Sequence, residues 1–112
     1  MGVLVFKQKE AKTVRFTCTS GGAAVDLSTA TLSFMVKQNK LESDGQAKIS
    51  KTNASFGVVD AADGVVTVDL SATDLALAAG KYIGELKVVF SASNIDKSDD
   101  IDVVIESAVI AA

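Results

Sequence analysis

The sequence predicts an all-β domain, an antiparallel β-sandwich of about seven strands. Two observations lead to this fold class. Apolar and polar residues alternate with period two through most of the 112 residues, as in strands with one buried face. Short turn-forming segments rich in Gly, Asp and Ser interrupt the alternation at the spacing typical of a sandwich, at residues 20–22, 43–45 and 60–64.

Four strands are predicted in the first half of the chain, at residues 3–6, 13–18, 31–37 and 47–51. In the second and third strands one alternating set is apolar and is expected to face the core: Val14, Phe16 and Cys18, then Leu32, Phe34 and Val36. The fourth strand is short and polar and carries two lysines. Lysines at such positions discourage unwanted pairing, so we expect an edge strand.

Three strands are predicted in the second half, at residues 65–70, 82–90 and 101–105. Their inward sets are Val66, Val68 and Leu70; Tyr82, Gly84, Leu86, Val88 and Phe90; and Ile101, Val103 and Ile105. The apolar segment at residues 108–110 does not alternate strictly. We therefore expect a β-bulge or an oligomer contact near Ser107.

One segment departs from the strand pattern, at residues 71–78. Ser71 is a good N-cap residue, Asp74 follows it at the spacing of a capping box, and Gly80 can end a helix. The segment therefore predicts a short helical turn rather than a separate layer. With 112 residues, the chain is expected to form one domain over residues 1–112.

Tyr82 makes the prediction more specific, because it is the only tyrosine and it begins the longest alternating strand. In immunoglobulin-like sandwiches a tyrosine at this place donates its hydroxyl to the backbone of the preceding crossover, forming a tyrosine corner. Antibody domains have a cysteine two residues later, where this chain has Gly84, so Cys18 has no partner in the chain. The alternative is that Tyr82 is a large core residue with a solvated hydroxyl.

Two blocks of sequence resemble a known family. They are AVDLSTATLSFMVK at residues 24–37, and GVVTVDL at residues 64–70 continued by Leu75 and by GKYIGEL at residues 80–86. These blocks are similar to the immunoglobulin-like N-terminal domain of phage baseplate upper proteins and related phage and prophage tail proteins. The resemblance spans roughly residues 13–110, with Ala24 where that family usually has proline.

The resemblance implies an immunoglobulin-like sandwich and a non-enzymatic structural role in a phage or prophage virion, of the tail or baseplate type. The partners it implies are other copies of the chain or other virion proteins. The expected location is the virion, and the protein would be made in the cytoplasm of the bacterial host. Family members normally continue into a receptor-binding or trimerising region, so this chain is expected either to act as a small free-standing virion component or to have lost that region. We expect a homo-oligomer, with Val104, Val109 and Ile110 as candidate interface residues because they form an apolar C-terminal segment.

Catalytic chemistry is not indicated. The chain has no histidine, so neither a Ser–His nor a Cys–His pair can form. Cys18 is on an inward position and is expected to be a small core residue, and a structural zinc site needs about four Cys or His ligands. We expect no enzyme activity and no cofactor.

Calcium is the one metal that the sequence raises as a candidate. Carboxylates are dense at residues 96–102, and Asp96, Asp99 and Asp100 are the candidate ligands. The segment lacks the glycine and the closing glutamate of an EF-hand loop. A solvated acidic hairpin is the favoured interpretation.

Nucleic-acid and membrane partners are not expected. The net charge is −3 and the basic residues are scattered, and no apolar run has the roughly 20 residues that cross a bilayer. The remaining alternative is a ligand- or carbohydrate-binding module that uses the loops at residues 40–46 and 91–100. A sugar site would ordinarily show exposed aromatic rings, for which only Phe6 and Phe56 are candidates.

Overall fold

The computed structural model describes residues 3–20, 22–53, 56–60, 62–97 and 100–109. Within these residues the chain forms eleven strands, numbered in chain order: β1 Val3–Lys7, β2 Lys12–Thr17, β3 Thr19–Ser20, β4 Ala23–Ala24, β5 Thr31–Lys37, β6 Ile49–Lys51, β7 Phe56–Asp60, β8 Val65–Leu70, β9 Gly80–Ser91, β10 Asn94–Lys97 and β11 Ile101–Glu106. One 3₁₀ turn, Asp44–Gln46, precedes β6.

Two sheets form the sandwich. The larger has the order β1-β11-β9-β5-β6, with β10 also paired to β9, and the smaller has the order β2-β8-β7. In an immunoglobulin domain strands B, E and D share one sheet and strands C, F and G share the other. Here β2, β8 and β7 occupy the positions of B, E and D, and β5, β9 and β11 occupy those of C, F and G. The predicted immunoglobulin-like fold is confirmed. Every pair in these two sheets is antiparallel except β1 with β11, which is parallel.

The core lies between the two sheets and contains the inward positions that alternation predicts. The buried side chains from the predicted strands include Val14, Leu32, Phe34, Val36, Val66, Val68, Leu70, Tyr82, Leu86, Val88, Ile101, Val103 and Ile105. Phe16, Cys18 and Phe90 are partly buried and pack against them. Period-two alternation therefore identified the buried face of each main strand.

The centre of the core is built from one ring and one glycine. Phe34 on β5 is fully buried, and its ring centroid lies 5.3 Å from that of Phe16 on β2. A Cβ atom at Gly84 on β9 would approach the Phe34 ring at 3.3 Å and Val103 at 3.3 Å. The absence of a side chain at Gly84 thus makes room for the Phe34 ring where antibody domains place a disulfide.

The structure corrects the predicted elements in several places. The helical turn expected at residues 71–78 is a single turn within 72–75, where the Leu75 amide donates to the Ser71 carbonyl at 3.1 Å. Strands β3, β4, β7 and β10 were not predicted, and the fourth predicted strand begins at Ile49 rather than residue 47. The bulge expected near Ser107 is absent from the described residues because β11 ends at Glu106.

Gly64 closes the turn before β8 and has two reasons to be glycine. Its φ is +74°, in the left-handed region that other residues rarely adopt. A Cβ atom there would lie 2.5 Å from the Cys18 carbonyl oxygen and 2.7 Å from that of Val25. Those backbone groups are fixed, because Cys18 donates its amide to the Gly64 carbonyl and accepts from the Val25 amide.

Replacing this glycine is the first test of the fold. Gly64→Ala should lower the free energy of unfolding by about 2 kcal/mol or more, because a strained φ and a backbone clash combine. Gly45→Ala is the control, since nothing lies within 4 Å of a Cβ atom there, and it should be neutral. Urea unfolding measures both variants, and equal stabilities would contradict this account of the turn.

Candidate functional site

Tyr82 ties β9 to the crossover at residues 71–79, the segment that connects β8 to β9. Its hydroxyl donates to the Ala78 carbonyl at 2.7 Å, four residues upstream, and its side chain is buried. This backbone contact is the one that defines a tyrosine corner. Gly80 lies between the two residues with a φ of +152°, a conformation that favours glycine.

The crossover also holds the first loop of the chain. The Gln8 side-chain amide donates to the Leu77 carbonyl at 2.8 Å, and the Lys9 amide donates to the Leu75 carbonyl at 2.9 Å. Lys9 has a φ of 63°, which is uncommon for a residue with a side chain. The loop after β1 is therefore fixed against the same segment that accepts the Tyr82 hydroxyl.

An ion pair joins the crossover to β6 of the larger sheet. The Lys51 ammonium on β6 lies 2.7 Å from the Asp74 carboxylate, and both side chains are about four-fifths buried. Asp74 also accepts from the Ser71 amide at 2.8 Å, and its own amide donates to the Ser71 hydroxyl at 3.1 Å. The capping-box pattern in the sequence is thus formed, although only one helical turn follows it.

The Asp74 pKa reflects two opposing effects. Burial raises the pKa of this carboxyl, but hydrogen bonds from Lys51 and Ser71 together outweigh it, and the pKa lies below its ordinary value of 3.8. Folding therefore stabilises the charged carboxylate of Asp74 relative to the unfolded chain.

The outer edge of β1 is open and apolar. Leu4 and Phe6 point toward the core, whereas Val3 and Val5 are 59% and 54% exposed on the opposite face. Val5 lies beside Val104 of β11 in the parallel register. Lys7, at the end of the strand, is its only charged residue.

The other edge strands of the two main sheets carry features that oppose pairing with another chain. β10, which pairs only with β9, carries Asp96 and Lys97. β2 has Lys12 and Arg15, and β6 has three residues and ends in Lys51. β7 has a register shift before Asp60. Within the described part of the chain, β1 is the edge best suited to accept a further strand.

Two of the three predicted interface residues, Val104 and Val109, lie within the described residues. Val104 is half-buried between Val5 and Lys81. Val109 lies beyond the end of β11 and is 99% exposed, and Ile110 lies outside the described residues. Their interface role stays a prediction, and Val3 and Val5, which sequence analysis did not single out, extend the same apolar face.

A shallow groove of about 160 Å³ crosses the outer face of the larger sheet. Its lining includes four lysines and three carboxylates: Lys37, Lys40, Lys87, Lys97, Asp44, Glu85 and Asp100. The groove lies between two loop regions considered in the sequence, at residues 40–46 and 91–100. Its lysines were missed because they become neighbours only through strand register.

The calcium candidates do not assemble in the described residues. Asp96 is exposed on β10, and the Asp100 carboxylate accepts from the Lys40 ammonium at 2.7 Å. Asp99 lies outside the described residues. No cluster of three metal-binding side chains occurs among the residues that the structure describes.

Cys18 and the aromatic rings contribute to packing. Burial raises the pKa of the Cys18 thiol, so this sulfur is predominantly protonated at neutral pH. The two rings considered as sugar platforms are also packed: Phe6 is buried and Phe56 is partly buried against the core. All six aromatic rings of the chain therefore pack in or against the core, and neither of the two candidate rings, Phe6 and Phe56, is a free platform for a sugar.

The described residues include no helix long and apolar enough to cross a membrane.

Comparisons with known proteins give little beyond this geometry. No family model matches the chain, and no curated protein matches it. Among solved structures, AggA, the major subunit of aggregative adherence fimbriae type I from Escherichia coli, is similar at 12% identity and a TM-score of 0.35. The alignment covers 95% of this chain and 91% of that chain.

Removing the Tyr82 hydroxyl tests the tyrosine corner. Tyr82→Phe should lower the free energy of unfolding by about 1 kcal/mol, because one buried hydrogen bond is lost and the ring is kept. Thermal and urea unfolding measure the change. Tyr82→Leu should cost more because it also removes ring packing, and a Phe variant as stable as the native protein would reject the corner.

The Asp74–Lys51 pair predicts a pH dependence. Because the pKa of Asp74 is lowered in the folded state, its contribution is present above the ordinary value of 3.8 and is lost as the pH falls below it. Asp74→Asn should lower the free energy of unfolding by about 1 kcal/mol at pH 7. The variant should then lose less stability than the native protein when the pH is lowered. Asp102→Asn, at an exposed position of β11, controls for loss of one negative charge. Parallel pH profiles for the native and Asp74→Asn proteins would contradict the assignment.

Proposed function

We propose that this protein is a non-enzymatic structural subunit that assembles through the open edge of β1, in a phage or prophage virion. The observation that carries the assembly proposal is the exposed apolar β1 edge, where Val3 and Val5 are 59% and 54% exposed. The virion context, of the tail or baseplate type, comes from the sequence resemblance at residues 24–37 and 64–86.

A sheet edge recruits a partner through its backbone. The outer side of β1 offers amide and carbonyl groups to a strand of another chain, and main-chain hydrogen bonds supply affinity in such pairings. The valines then supply apolar area on the face that an added strand would extend. Because no charge interrupts residues 3–6, the edge lacks the usual defence against this pairing.

The occupant that we assign to this edge is a second copy of the chain. Two β1 strands related by a two-fold axis would pair antiparallel and join the larger sheets of two subunits, an arrangement in which each edge satisfies the other. Val104 adjoins Val5, so the apolar face continues inward from the edge onto β11. Val109, exposed just beyond β11, is positioned to add to the contact.

The second candidate function is a ligand-binding module, and the groove on the outer face of the larger sheet favours it. Its lining residues Lys40, Asp44, Lys97 and Asp100 come from the loop regions that the sequence pointed to. Since the aromatic rings pack against the core, a ligand would be recognised by charged and hydroxyl groups. A ligand-dependent rise in melting temperature would favour this function.

A charge placed in the β1 edge tests assembly. Val5→Lys should weaken self-association by roughly tenfold or more, because a buried valine is worth about 1.5 kcal/mol or more and the lysine must be desolvated. Light scattering after size exclusion, across a concentration series, measures the mass of each species.

Val59→Lys provides the matched control, since Val59 is a 56% exposed valine on an edge strand of the smaller sheet. It should assemble like the native protein. A native protein that stays monomeric at high concentration, or a Val5→Lys variant with native association, would contradict assembly through β1.

A further inference from the structure

Strand register brings three polar residues into one row across the larger sheet. Lys87 of β9 is paired with Lys97 of β10 on one side and with Ser33 of β5 on the other. Directly paired residues on neighbouring antiparallel strands point to the same face. All three residues line the groove, so two ammonium groups and a hydroxyl share one end of it.

The direct pairing of Lys87 with Lys97 is unfavourable by itself. Side chains at paired positions have Cβ atoms about 5 Å apart, and like charges placed there destabilise a sheet. Four-carbon lysine side chains at that spacing can bring both ammonium groups to one point. An anion at that point would turn the repulsion into two attractive contacts.

The other two lysines of the groove already have carboxylate partners. Lys37 lies 2.7 Å from Asp44, and Lys40 lies 2.7 Å from Asp100. Neither Lys87 nor Lys97 forms an ion pair with a described residue. Glu85, on the same face of β9, lies near Lys40, whose pKa is raised mainly by Asp100 and slightly by Glu85. Lys87 and Lys97 are therefore the two lysines of the groove without an ion-pair partner among the described residues, and the row that they form with Ser33 is called its basic end.

Lys87 and Lys97 also act electrostatically on Asp44, across the groove lining. The pKa of Asp44 is lowered chiefly by its hydrogen bond from Lys37, and Lys87 and Lys97 add smaller contributions of the same sign. With four lysines and three carboxylates, the described residues of the lining carry a net charge of +1 in a chain of net charge −3. The groove is thus locally attractive to an anion on an acidic protein.

We propose that the basic end of this groove binds a phosphate or sulfate group, held by the Lys87 and Lys97 ammonium groups and by the Ser33 hydroxyl. Tetrahedral oxyanions offer several acceptor oxygens, which suits three converging donors. A buried cavity of about 150 Å³ accommodates a benzene molecule. The groove, at about 160 Å³, therefore has room for the oxyanion and a few attached atoms.

The test is an amide-resolved NMR titration of the native protein with inorganic phosphate, with chloride adjusted to keep ionic strength constant. Saturable shifts are expected at residues 33, 87 and 97. Lys87→Gln should weaken binding about tenfold, as expected for loss of a hydrogen bond from a charged group. In phosphate-free buffer the same variant should melt at a higher temperature than the native protein, because the like-charge pair is removed.

Lys81→Gln is the matched control, because Lys81 is an exposed lysine on the same strand and face but outside the groove. It should bind phosphate like the native protein, and Lys97→Gln should repeat the effect of Lys87→Gln. Shifts that do not saturate, or equal weakening by Lys81→Gln and Lys87→Gln, would overturn the proposal.

A parallel titration with glycerol 3-phosphate separates two sources of the same chemistry. Tighter binding of the ester assigns the site to a phosphate group on a larger polar molecule, and tighter binding of inorganic phosphate assigns it to the free ion. Val5 and Lys87 lie on the same outer face of the larger sheet but on different strands, β1 and β9. The two variants are read by different measurements, light scattering and NMR titration, so failure of anion binding and failure of assembly are distinguishable.

Discussion

The packing of Phe34 against Gly84 is the contact on which the rest of the sandwich depends. An antibody domain joins its sheets with a disulfide beside a buried tryptophan, and this chain has one cysteine and no tryptophan. Here a ring on β5 fills the space over a glycine on β9 and contacts the Phe16 ring on β2. β5 and β9 are neighbours, and β2 belongs to the opposite sheet. This one cluster therefore sets both how closely the Phe34 ring packs over β9 and how far apart the two sheets lie.

The crossover at residues 71–79 performs the second joining function. It receives hydrogen bonds from Tyr82 and Gln8 and holds the ion pair between Asp74 and Lys51. These contacts connect β9, the loop after β1 and β6 to a segment that leaves the smaller sheet. Polar contacts therefore complement the aliphatic core at this crossover, and those from Gln8 and Lys9 hold the loop that follows β1.

Alternation made most of the fold predictable, since it reports directly which side of a strand is buried. β7 escaped prediction because it contains Gly57 and two adjacent valines with no alternation, and β10 because it is exposed at all four positions. The cap at Ser71 made the turn recognisable, but the sequence did not show how short the turn is. The Leu77 and Ala78 carbonyls accept hydrogen bonds from the Gln8 and Tyr82 side chains, not from the backbone amides of a continuing helix. The candidate sites were harder to predict from the sequence. The row of Ser33, Lys87 and Lys97 exists only once register is known, and the openness of β1 depends on which strands become edges.

The parallel pairing of β1 with β11 gives the domain a mechanical polarity. Val3 lies beside Asp102 and Lys7 beside Glu106, so the chain enters β1 at one pole and leaves β11 at the other. A pulling force applied through both ends would act along these two strands in opposite directions. The hydrogen bonds between them would then be loaded together in shear, and would have to break nearly simultaneously rather than one after another. A domain built in this way resists tension that is applied through its first and last described strands.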